Sequence, residues 1–128
     1  YDENGDDQLK IGGAVTAFTN AVIGKTSVAG SHGGSTVLDF DANQNFVLTL
    51  TSSITLANPS TEKVGQSGFI VFIQDAGGSN TLTLGTDYES AGGAGITLTT
   101  TGNATDIVPY VVAAANRILL GTPQLAFS

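Results

Sequence analysis

Residues Asn45–Pro59 read NFVLTLTSSITLANP. Phe46, Leu48 and Leu50 share one parity, Val47, Thr49 and Thr51 share the other, and Ile54 and Leu56 continue the first set. Successive side chains of an extended chain point to opposite faces, so a period of two held this long predicts a half-buried strand. Asn58-Pro59 ends it, because proline has no N–H to offer a ladder.

The same grammar extends outward. Upstream, Leu38 and Phe40 alternate with Val37, Asp39 and Asp41, and DANQN (residues 41–45) reads as a turn. Downstream, Phe69, Ile70, Val71, Phe72 and Ile73 form an unbroken apolar run, which predicts a strand covered on both faces. In so small a domain one face meets the opposite sheet and the other is left for a neighbouring subunit, so these five residues are the candidate assembly interface. Asp75–Asn80 (DAGGSN) reads as a hairpin turn before Leu82 and Leu84, which alternate with Thr81 and Thr83. A glycine-rich loop (SAGGAG, residues 90–95) leads to Ile96 and Leu98. Ile107–Ala115 and Arg117–Leu120 are the last strong strands, with Pro109 expected at an edge or a bulge. Short strands separated by frequent turns, without βαβ alternation, predict an all-β fold: an antiparallel β-sandwich or jelly-roll-like barrel of about eight to ten short strands.

The N-terminal part reads differently. Tyr1–Lys10 is acidic and polar, 11–30 is mixed and read as extended, and Ser31–Ser35 (SHGGS) reads as a turn or loop. The expected division is an N-terminal arm or attachment segment over residues 1–35 and a β-sandwich domain over 36–128. Asp2, Asn4 and Asp6 place oxygens at alternate positions, as a calcium loop does, but lack the glycine and the distant glutamate of an EF-hand. A solvated acidic terminus is the expectation there. Calcium held by loop Asp and Asn side chains is the one cofactor left open, and no other is expected.

Composition excludes several partners. Charged residues make up 12% of the 128, about half the usual share, and 17 glycines with many threonines take their place. The net charge is −7, and the only cations are Lys10, Lys25, Lys63 and Arg117. Gripping nucleic acid requires clustered cations that displace counterions, and an anionic membrane surface requires the same. Neither nucleic-acid binding nor membrane insertion is expected. There is no cysteine, so disulfides and thiolate metal sites are absent, and packing or oligomerisation must hold the domain together.

A catalytic reading fails at the inventory. His32 is the only histidine, and no GxSxG elbow exists. Asp39, Asp41, Asp75, Asp87, Glu89 and Asp106 are numerous enough for a glycosidase pair, but aromatic platforms are scarce at 7% of residues. Carboxylates that cap amides at strand-end turns are the simpler reading. No catalytic residue is expected. The one suggestive surface recognition cluster is Asp87, Tyr88 and Glu89.

From Val37 to Ser128 the chain resembles a module recurrent in structural proteins of tailed bacteriophages, marine and cyanobacterial ones especially. The resemblance rests on Asp39-Phe40-Asp41, then Phe46–Pro59, then Gly65–Tyr88 (GQSGFIVFIQDAGGSNTLTLGTDY), then Ile96–Val112, in that order. It implies a non-enzymatic virion protein on the particle exterior, of the tail fibre, head fibre or capsid decoration type. It also implies a homotrimer contacting other virion proteins, with a host-surface glycan or receptor as a further partner. A stand-alone carbohydrate- or receptor-binding module and a prokaryotic surface-layer or filament subunit are the alternative readings. Replacing Phe69 or Phe72 with aspartate is expected to break assembly.

Overall fold

A computed structural model describes residues 20–128, so the acidic run with Asp2, Asn4 and Asp6, and the arm up to residue 19, lie outside the described residues. Eight strands form one mixed sheet: β1 (Thr26–Val37), β2 (Asn45–Ala57), β3 (Ser67–Gln74), β4 (Leu82–Leu84), β5 (Tyr88–Ser90), β6 (Thr105–Ala114), β7 (Arg117–Leu120) and β8 (Gln124–Phe127). Their order is β1-β2-β3-β6-β7-β5, with β4 beside β2 and β8 beside β6.

The first four strands wind as a wide coil. β1 pairs in parallel with β2, setting Thr26 against Asn45 and Val37 against Ala57. β2 then serves two parallel partners, β3 over Phe46–Leu50 and β4 over Ile54–Leu56. Three successive exposed residues, Thr51–Ser53, mark the place where it changes partner. Polar side chains bind one turn of the coil to the next. Asn45 Oδ1 accepts from Phe69 N at 3.1 Å, Thr61 Oγ1 accepts from Phe40 N at 2.9 Å, and Asn58 Nδ2 donates to Thr86 Oγ1 at 2.7 Å.

The rest of the chain extends the sheet beyond β3. β6 lies antiparallel to β3, and β7 returns along β6 through a tight turn at Ala115-Asn116, where Asn116 takes a φ of +57°. β5 sits in parallel beside β7, pairing Tyr88 with Ile118. Pro109 thus lies in an interior strand. Its missing N–H falls on the side facing the break between β7 and β8, where its carbonyl accepts from Gly121 N at 2.8 Å. A Cβ on Gly121 would stand 2.7 Å from Pro109 Cγ, so only glycine fits that approach.

The core is built from the inward parity that the sequence shows: Leu38, Phe40, Phe46, Leu48, Leu50, Ile54, Leu56, Ile70, Phe72, Val108, Tyr110, Val112, Ile118 and Leu120 are all buried. Phe40 stands edge-on to Phe46 and Tyr110, with centroids 5.0 and 5.3 Å apart. Two buried polar residues, Gln74 and Asn80, are satisfied by backbone carbonyls and by each other. Gln74 donates to Asn80 O and Thr99 O at 2.8 Å each, and Asn80 Nδ2 donates to Leu50 O at 3.1 Å.

The all-β expectation holds, and eight strands fall within the expected range. Strand direction differs from the antiparallel expectation: β1, β2, β3 and β4 run parallel, and one open sheet replaces a two-sheet sandwich or barrel. Alternation reports which face is buried and is blind to the neighbour's direction. Asp75–Asn80 therefore turns a corner within one layer of the coil and does not form a hairpin. Ser31–Ser35, expected as a loop, belongs to β1, whose register shifts at Ala29/Ser31 and His32/Gly34 absorb the glycines. The expected boundary at residue 35 consequently falls inside β1.

Candidate assembly surface

Strand register sorts the apolar run Phe69–Ile73 into two roles. Ile70 and Phe72 point into the core, with Phe72 only 2% exposed. Phe69, Val71 and Ile73 point outward, and Phe69 is 53% exposed. Aspartate at Phe72 would thus break the fold itself, and Phe69 alone tests an interface.

Around those three residues the register assembles a larger face. Val28 pairs with Val47, Val47 with Val71, and Val71 with Ile107, so a β-branched row crosses β1, β2, β3 and β6. On one side lies the row Thr49, Ile73, Thr105 and Phe127. On the other, Phe69 faces Pro109, and beyond it Val111, itself 41% exposed, faces Leu119. A shallow groove of about 300 Å³ runs between Thr26, Asn45, Val47, Phe69, Val71 and Ile107. None of these residues is charged. Sequence reading found only the β3 part of this face, because Val28, Val47, Ile107 and Val111 become neighbours only once the register is known.

The recognition cluster Asp87, Tyr88 and Glu89 is not displayed as a unit. Tyr88 is 4% exposed, and burial first, then the negative charge of Glu62, holds its hydroxyl well above the ordinary tyrosine range. Asp87 is buried as well, with its N–H donating to Asn58 Oδ1 at 3.1 Å and its carbonyl accepting from Ile118 N at 2.7 Å. Glu89 is held by Arg117, through Nε–Oε1 at 2.8 Å and Nη2–Oε2 at 3.2 Å, and that hydrogen bonding lowers its carboxyl below the ordinary value. Tyr88 and Glu89 do border an open concavity of about 710 Å³ whose other walls include Thr83, Thr86, Ser90 and Thr97.

The remaining carboxylates serve the fold. Asp39 Oδ1 accepts from Asp41 N and Ala42 N at 3.1 Å each, and Asp75 Oδ1 accepts from Gly78 N at 2.9 Å, as expected of turn caps. Asp106 instead lies in β6, buried, and accepts from Thr99 N at 2.6 Å and Ala126 N at 2.8 Å. Asp41 pairs with Lys63 at 2.9 Å. No helix among the described residues is long and apolar enough to cross a membrane.

An all-β module with a neutral, apolar outer face is the setting for the family assignment. Residues 35–115 match the family described as "Putative phage tail fibre C-terminal domain". The chain belongs to this family, which makes it a structural component of the phage virion, associated with other virion proteins. No curated protein and no solved structure matches it.

Proposed function

We propose that this domain is a non-enzymatic, homotrimeric module on the exterior of the tail fibre, and that its copies meet through the outer face of β1, β2, β3 and β6. The observation that carries this reading is the row Val28, Val47, Val71 and Ile107 with Phe69, Ile73 and Val111 around it. Parallel strands are ordinarily covered on both faces, yet here one copy covers only the inner face. Exposed apolar patches of this kind mark association surfaces. An uncharged face permits a second copy as the occupant. The chain carries −7 overall, so copies repel one another except where they meet on an uncharged face. A closed ring of three, the arrangement implied by the resemblance to phage fibre modules, covers the face and stops further growth.

In this reading the fibre, not the capsid, is the module's place, and its role needs neither a catalytic residue nor a cofactor. The concavity beside Glu89 is the part proposed to face a host-surface saccharide, because the hydroxyls of Thr83, Thr86, Ser90 and Thr97 in its walls match a polyol. Two measurements test the proposal. Light scattering on the purified domain should give a trimer. Quantitative mass spectrometry of purified virions should give a few to a few dozen copies, in multiples of three. A monomer at high concentration, or hundreds of copies per particle, would overturn it.

A further inference from the structure

The hollow beside Glu89 is built by β4, β5 and the residues that follow β5, none of which belongs to the proposed assembly face. At about 710 Å³ it falls within the size range of small-ligand sites. Its lining divides by chemistry. Leu82 and Leu84, only partly covered by the core, bring apolar surface. Thr83 and Thr97, both exposed, bring hydroxyls. Gly93 and Gly95 hold left-handed φ values of +68° and +77°, and nothing stands within 4 Å of where a Cβ would sit, so that wall is bare backbone. Among the described residues of the lining, Glu89 alone carries charge.

The position of Glu89 is set by strand pairing. Tyr88 is paired with Ile118 and points inward, so Glu89, beside Leu119, points outward. Arg117 has the parity of Leu119 on β7 and therefore stands on the same face, one strand away. Its guanidinium grips the carboxylate at two points, Nε–Oε1 at 2.8 Å and Nη2–Oε2 at 3.2 Å, a fork that fixes the carboxylate plane. Each carboxylate oxygen offers two acceptor sites, so one bond to Arg117 leaves each oxygen with another. The Glu89 side chain is 42% exposed, which leaves those sites open to a ligand. The hydrogen bonds from Arg117 also hold the carboxyl below its ordinary value, so it is an anionic acceptor at neutral pH.

Two fixed acceptors side by side, next to apolar surface and hydroxyls, suit a pyranose ring. Such a ring carries hydroxyls on adjacent carbons around its rim and C–H groups on its faces. Adjacent hydroxyls donate to the two oxygens of one carboxylate, while a C–H face meets Leu82 and Leu84. Resting on the reading of this hollow as the saccharide-facing part, we infer that Glu89 is its specificity-determining acceptor, that Arg117 is the positioning residue, and that the pair selects pyranosides with two adjacent free hydroxyls.

The test is saturation-transfer NMR on the full chain, with the methyl pyranosides of glucose, galactose and mannose at tens of millimolar. The parent should transfer saturation to at least one of them. Glu89→Gln should weaken that binding about tenfold or more, because a charged acceptor is lost, with Tm and oligomer mass unchanged. Asp41→Asn removes another paired acid, outside the hollow, and should leave binding as it was. For the glycoside that binds, an analogue lacking one of the contacted hydroxyls should bind the parent as weakly as the full glycoside binds Glu89→Gln. Binding that survives Glu89→Gln, or that survives removal of each ring hydroxyl in turn, would overturn the inference and leave the saccharide reading standing. No transfer to any of the three glycosides would remove both.

Discussion

Phe69→Asp separates assembly from folding. The Phe69 side chain points away from the core and is 53% exposed in one copy. A phenylalanine side chain presents about 200 Å² of surface, so about 100 Å² remains for a partner to cover. At about 25 cal/mol per Å² this burial is worth about 2.5 kcal/mol per copy, which corresponds to about 70-fold in each association step. Aspartate removes that term and adds the desolvation of an unpaired charge, about several kcal/mol more. The fold of a single copy loses only the difference in strand propensity, about 1 kcal/mol or less, since no core contact is touched. Light scattering after size exclusion at micromolar concentration should therefore show trimers for the parent chain and monomers for Phe69→Asp, with the same far-ultraviolet dichroism. The parent Tm should also rise with concentration and that of the variant should not. If Phe69→Asp still ran at the parent mass, the outer face would not be where copies meet.

Other outcomes follow from the same geometry. Phe72→Ala should cost about 3–5 kcal/mol by emptying a buried site beside its register partner Leu48, seen as a lower denaturant midpoint in both monomeric and assembled backgrounds. Tyr88 and Tyr110 are held above the ordinary tyrosine value chiefly by burial, Tyr110 at about 12. Both are neutral in folded and unfolded chains below the unfolded value near pH 10, where their contribution is fully present. As pH rises from 10 through the folded values only the unfolded chain releases protons from these two, so stability should fall by about 1.4 kcal/mol per pH unit for each, and in a Tyr1→Phe chain, which carries only these two tyrosines, tyrosinate absorbance should rise only together with unfolding. Tyrosinate forming in the folded chain near pH 10 would contradict that burial. Asp106→Ala deprives Thr99 N and Ala126 N of their acceptor and should cost about 2–3 kcal/mol, with amide exchange at Ala126 speeding more than exchange elsewhere in the sheet.

What could be read from the sequence depended on which physical signal carried it. The inward positions of β2, β3 and β6 were legible because a two-residue period survives any arrangement of neighbours. Strand direction was not, since Asp75–Asn80 has the composition of a hairpin turn while making a corner between β3 and β4. The glycines of β1 concealed a strand, because bulges tolerate the residues that ordinarily end one. For the candidate surface, the apolar run Phe69–Ile73 pointed to the right strand, but the alternation inside it decides that Phe72 belongs to the fold and Phe69 to the outer face. Tyr88 drew attention as a flanked aromatic, and only the pairing of β5 with β7 shows that it faces inward.

The absence of cysteine allows the most direct measurement of where copies touch. Single cysteines would be placed at Val71 or Val111 on the outer face and, as a control, at the exposed Thr55 or Thr83, beyond the point at Thr51–Ser53 where β2 changes partner and outside the proposed interface. Each assembled variant would be treated with a short bis-maleimide and resolved under denaturing conditions. The account predicts covalently joined copies from Val71→Cys and Val111→Cys and single chains from Thr55→Cys and Thr83→Cys. Joined copies from the β2 and β4 threonine positions, with none from β3 and β6, would contradict it.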